Sequence, residues 1–162
     1  MPAVMAGLLV FMRLSFWLSP RNFKLDEFRS TYAFLALAVT ALLGYMHVLM
    51  LWSAMAGAIE MPRALMGGVF LFFALIGSVM SKIRRNFWAG VRTPWTLASE
   101  RVWNDTHRLA GWVFVLAGVV GFVAVVSGLP VVWAIWLLIA AAAVPVVYSL
   151  IHYKRLDSRG EV

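Results

Sequence analysis

Four long apolar runs without a single carboxylate constrain this chain more than any other feature. They cover residues 31–56, 64–82, 109–128 and 131–153, and all seven acids fall outside them, at Asp26, Glu27, Glu60, Glu100, Asp105, Asp157 and Glu161. A helix that crosses a bilayer needs about 20 predominantly apolar residues. Each run is that long, so each reads as a span. Composition agrees: 63% of the residues are hydrophobic, 13% are charged and the mean hydropathy is +0.87, whereas a soluble domain is about 45–50% apolar. The expected fold is all-α: a polytopic transmembrane helix bundle of four or five spans plus a cytoplasmic amphipathic helix, in a single membrane domain over 1–162.

The first apolar run is shorter. Residues 3–18 are apolar apart from Arg13 and a serine, and as a helix reach only about 24 Å at 1.5 Å per residue. They form a short span with Arg13 snorkelling toward the next loop, or else an interfacial helix. No basic segment precedes the run and no small-residue cleavage pattern ends it, so it does not read as a secretory signal. Pro20 ends it, and 19–30 is a charged connector. Tyr32 and Trp52 are placed as interfacial anchors of the 31–56 span, and 57–63 as a tight connector. Gly67, Gly68, Gly77, Ser78, Gly111, Gly118 and Gly121 permit close helix approach. Residues 127–130 break the chain, Pro145 is expected to kink the last span, and the tail from Lys154 is polar and expected to be mobile.

Thirteen of the fourteen Lys and Arg precede Thr31, lie between Lys82 and Arg108, or follow Tyr153, and Arg63 is the other. Basic residues gather on cytoplasmic loops, which puts the 19–30 connector, the segment after Lys82 and the C-terminus in the cytoplasm. The net charge of +7 therefore reflects topology, and no direct nucleic-acid binding is expected. There is no cysteine, which excludes disulfides and thiolate metal sites.

The segment from Arg84 to Gly111, RRNFWAGVRTPWTLASERVWNDTHRLAG, is the one long stretch mixing charge, aromatics and helix signals. Pro94 disfavours helix at Thr93, so a break is expected near 90–94. A new helix then starts with Thr93 as N-cap and Pro94 in its first turn, or with Thr96 as N-cap and Glu100 near its positive end. Along it Trp103, His107, Ala110 and Phe114 share one face, and Arg101, Asn104, Asp105 and Arg108 another. That describes an amphipathic, interface-lying helix leading into the 109–128 span.

Little in the chain suggests catalysis. An ionisable group inside the bundle usually marks a proton relay or intramembrane acid–base site, and His47 alone qualifies; a lone histidine there is more often a hydrogen-bonded packing residue. His47 lies about 24 Å along its helix from the cytoplasmic end, too far to share a haem with His107 or His152. A His107/His152 pair remains geometrically open. No HExxH, P-loop, GxGxxG or Ser/His/Asp pattern occurs. The reading is therefore no enzyme, no cofactor and no catalytic metal. Trp88, Trp95 and Trp103 suit interface anchoring. Arg92 can cap the carbonyl end of the preceding helix, bind a lipid phosphate, or pair with Asp105 or Glu100.

The ordered pattern from Asn86 through Gly90, Arg92, Thr93, Pro94, Trp95, Thr96 and Leu97 to Val102, Trp103, Thr106, His107, Arg108 and Gly111 resembles the signature of the SdpI family of bacterial membrane proteins. There a GxRTPWTL segment precedes a VWxxTHRxxG helix. The likeness covers residues 64–126, and more weakly the PRNFKLDEFR connector and the His47 span. Longer members carry an additional pair of N-terminal spans, and the resemblance sets the start of this chain within the second of them. It implies a multi-pass protein of the bacterial inner membrane, embedded in lipid. It further implies a role in immunity against a membrane-active peptide toxin, in tethering a cytosolic transcriptional repressor, or in both. On that reading Arg101, Asp105 and Arg108 face the partner. The alternative is a small-molecule or lipid transporter subunit.

Overall fold

The computed structural model describes residues 2–18, 29–56 and 60–161. Most of the expected 19–30 connector, and residues 57–59 of the next one, lie outside the described residues. The described residues form six helices: α1 (Pro2–Leu18), α2 (Arg29–Ala56), α3 (Met61–Met80), α4 (Pro94–Ala98), α5 (Glu100–Val126) and α6 (Val131–Asp157). Among the described residues there is no strand. The helices α2, α3, α5 and α6 are long and apolar enough to cross a membrane, whereas α1 is shorter.

The central pair is α3 and α5, with α2 against α3, α6 against α5 and α1 against α2. Between apolar helices in lipid there is no water to expel, so close van der Waals contact must drive association. Glycine provides it. A Cβ on Gly77 would sit 2.8 Å from the Val115 nitrogen, and one on Gly118 would sit 2.5 Å from the Ala74 nitrogen. The two backbones therefore touch where these residues fall. Outward-facing Leu37, Met55, Trp112, Trp133 and Trp136 are exposed, as lipid-facing residues should be.

Burial is concentrated at one end of this pair. Tyr32, Leu35, Met80, Ile83, Trp103, Ala110 and Phe114 form the larger cluster there, and Phe70, Val125 and Ala134 form a smaller one toward the other end. Three expectations need correction. Tyr32 is only 3% exposed and is a core residue, because the start of α2 packs against the loop after α3. The expected interfacial helix and the following span are a single helix, α5, running from Glu100 to Val126; Trp103 and His107 share its buried face with Ala110 and Phe114, so nothing turns the helix aside at Leu109. The tail is not a free polar segment, since α6 continues to Asp157 and Glu161 accepts from Arg101 at 2.7 Å. Helix α6 runs through Pro145.

Candidate functional site

Helix α3 stops at Met80, and residues 83–93 cross the end of the bundle without regular structure. Backbone of this kind is tolerated near lipid only when protein satisfies it. Asn86 does much of that work. Fully buried, its Nδ2 donates to the Arg84 and Ala89 carbonyls at 2.8 and 3.0 Å, and its Oδ1 accepts from the Trp88 and Ala89 N–H groups at 2.7 Å each. The amide has no unused donor left, and the loop is wrapped around it.

Helix α5 holds the loop at two further points. The Trp103 indole donates to the Ile83 carbonyl at 2.8 Å, and the Val91 N–H donates to His107 Nε2 at 3.0 Å. Because Nε2 accepts, the proton of the neutral ring is on Nδ1, which donates to the Trp103 carbonyl at 2.8 Å. The two rings stack with centroids 4.0 Å apart. Gly90 lets the loop come this close: its φ is +110°, and a Cβ there would lie 2.2 Å from His107 Nε2.

The turn into α4 uses the first of the two starts the sequence allowed, but that helix ends at Ala98; extended Ser99 separates it from α5, so the helix carrying Trp103 and His107 begins at Glu100, at neither expected start. Thr93 is the N-cap, with Pro94 in the first turn, and a capping box joins it to Thr96. The Thr96 hydroxyl accepts from the Thr93 N–H at 2.9 Å and donates to the Val91 carbonyl at 2.8 Å. Trp95 then anchors α4 on α6 by donating to the Ser149 hydroxyl, which in turn donates to the Val146 carbonyl at 2.6 Å. Arg85 donates to the Leu97 carbonyl at 3.1 Å. Arg92 is exposed and donates to the Phe87 carbonyl, so it braces the loop itself rather than the end of a helix.

On the outer face of α5, Asp105 sits between Arg108 Nη2 at 3.3 Å and His152 Nε2 at 3.0 Å, and His152 stacks on Tyr148. Asp105 is thus not the partner of Arg92. His107 and His152, left open above as a haem pair, have separate occupations, one on the loop backbone and the other on Asp105. Trp103, fully buried, is an internal hydrogen-bonding residue instead of an interface anchor, and half-buried Trp95 bonds to Ser149. Trp88 is half-buried and meets Phe11 of α1 edge-on at 5.6 Å. At this end of the bundle two buried atoms, Trp88 Nε1 and Thr106 Oγ1, have no hydrogen-bond partner among the described residues. Gly111 lies away from the loop, at the contact with Gly77.

The structure therefore brings Asn86, Gly90, Thr93, Trp95, Thr96, Trp103 and His107 into one hydrogen-bonded unit, and leaves Arg101 and Arg108 outside it at 59% and 72% side-chain exposure. Sequence reasoning missed Ser149 and the Ile83 carbonyl. Ser149 carried a faint signal as an isolated hydroxyl in an apolar run; a backbone carbonyl carries none.

A multi-pass helical membrane protein is the class these features define, one whose helices carry an internally hydrogen-bonded loop and short helix across one end. Residues 82–152, most of that unit and the helices beneath it, match the model of the SdpI/YfhL protein family. The chain is also 33% identical over 94 residues to the immunity protein SdpI of Bacillus subtilis (strain 168), a match covering 56% of this chain and 44% of that protein. Both matches make the chain similar to the SdpI family over part of its length. The chain spans less than half the length of that curated relative. No solved structure matches it.

Proposed function

We propose that this chain is a membrane immunity protein of the bacterial inner membrane, protecting its cell from a membrane-active peptide toxin, tethering a cytosolic transcriptional regulator, or both. The observation that carries this reading is the likeness to an immunity protein over 94 residues. The geometry adds support. Asn86, Thr96 and His107 spend their polar groups on loop backbone, which suits a structural role for these three residues. The Lys and Arg distribution supports a cytoplasmic motif and C-terminus. The exposed arginines Arg101 and Arg108 then offer a cationic face to a cytosolic partner, while a toxin arriving from outside meets the opposite end first.

The experiment is expression of the chain in a toxin-sensitive bacterium lacking its own immunity protein. Survival is compared with that of cells carrying an empty vector, alongside pull-down of cytosolic partners. Protection by the wild type, with recruitment lost and protection kept in Arg101→Glu/Arg108→Glu, supports both activities, because charge reversal turns docking attraction into repulsion. No gain in survival and no recruited protein at confirmed membrane abundance would refute the reading.

A further inference from the structure

The end of the bundle away from the motif holds a cavity of ≈ 500 Å³ between α2, α3 and α5, within the range of about 300–1,000 Å³ that ligand pockets occupy. It runs along α3 from Ala64 to Leu75, with Ala41 on one side and Phe122 on the other. At 1.5 Å per residue that stretch is about 16 Å long, close to one leaflet of a hydrocarbon core about 30 Å thick. Charge occurs at one end only. There Arg63 Nε lies 2.6 Å from Glu60 Oε2, and Arg63 Nη1 donates to the Val125 carbonyl at 3.3 Å.

Neither charged group is used up by this pair. Although close to the carboxylate, the buried Arg63 Nε makes no directed hydrogen bond among the described residues, and a guanidinium has five donors in all. The Glu60 side chain is 75% exposed, so its oxygens remain open to a second donor. A cation and an anion thus stand side by side at the mouth of an apolar slot about one leaflet deep.

The geometry points to an aminophospholipid of the phosphatidylethanolamine type, with one acyl chain in the slot, its phosphate on Arg63 and its ammonium on Glu60. Both contacts are charge-assisted hydrogen bonds. A zwitterion matches the neutral pair. An anionic headgroup satisfies Arg63 but sets negative charge against Glu60, and a choline headgroup has no N–H to donate. This binding site is independent of the immunity reading and stands or falls without it.

The test uses the purified full chain, stripped of lipid and offered phosphatidylethanolamine, phosphatidylglycerol or phosphatidylcholine with identical acyl chains, with bound lipid counted by native mass spectrometry. Phosphatidylethanolamine is retained about tenfold better than the other two, as one charge-assisted hydrogen bond allows. Glu60→Gln and Arg63→Gln each erase the preference, and Ala41→Phe, which fills the slot, lowers retention of all three. Circular dichroism checks that every variant keeps its helices; should Ala41→Phe not fold, the two Gln variants still decide. Equal retention of the three lipids by the wild type, preference for phosphatidylglycerol, or a preference unchanged in both Gln variants overturns the assignment.

Discussion

At the motif end of the bundle, buried polar groups are dense and nearly all have partners; at the other end the walls are apolar, and polar contacts are few and lie at the rim. Asn86, Thr96 and His107 hold irregular backbone in place by five or more short hydrogen bonds. Across the bundle, Tyr45 donates to the Ala64 carbonyl at 2.8 Å from an exposed position, and Arg63 reaches Val125. The physical difference lies in what each end must satisfy. A loop that leaves helical geometry exposes N–H and C=O groups that a nearby bilayer cannot pair, so side chains must pair them. Continuous helices have no such debt, and the far end can be left open enough to hold a cavity.

Asn86→Leu tests that contrast most severely. It keeps the branched shape, strips four hydrogen bonds from a buried loop, and should cost about 4 kcal/mol or more, at roughly 1–3 kcal/mol for each of the four backbone groups left unpaired. The measurement is detergent-induced unfolding of the purified protein in mixed micelles. Next comes Gly90→Ala, expected to cost about 2–3 kcal/mol, because it combines an unfavourable positive φ with a Cβ placed on His107. In the same assay a loss below about 0.5 kcal/mol, within the range of an ordinary surface change, would show that the loop can retreat from α5 at little cost. Tyr45→Phe removes one rim hydrogen bond at the opposite end, and about 0.6 kcal/mol is the expected loss, the average for such bonds in a membrane bundle. If it matches Asn86→Leu, the two ends do not differ as described. Smallest is Arg101→Gln. It breaks an exposed ion pair with Glu161, worth under about 1 kcal/mol, and the midpoint of unfolding should barely move.

The spans were readable because each is specified locally: an unbroken apolar run demands a helix, and loop charge biases its direction. The break before Pro94 and the choice of Thr93 as cap follow from residues within four positions of one another, and the buried face of α5 follows from helical spacing. Other features had no local signature. That helix α5 continues unbroken from Glu100 through the charged stretch depends on burial of Trp103 and His107, and burial depends on what α3 and the loop place against them. Tyr32 could serve as a lipid-facing anchor or as a core residue on sequence grounds alone; the neighbouring elements made it core.

Apolar run length and proline placement determined where the long apolar helices lie and which faces can be buried, because those are properties of a segment facing lipid or its own backbone; the division of the motif into α4 and α5 at Ser99 was not among them. Tertiary structure decided which polar groups meet: Trp103 with the Ile83 carbonyl, His107 with Val91, Trp95 with Ser149, Arg101 with Glu161. These partners lie 16 to 60 positions apart, far beyond the reach of helical periodicity. Each bond forms only because packing of α3 on α5, and of α6 on α5, brings donor and acceptor within about 3 Å of each other.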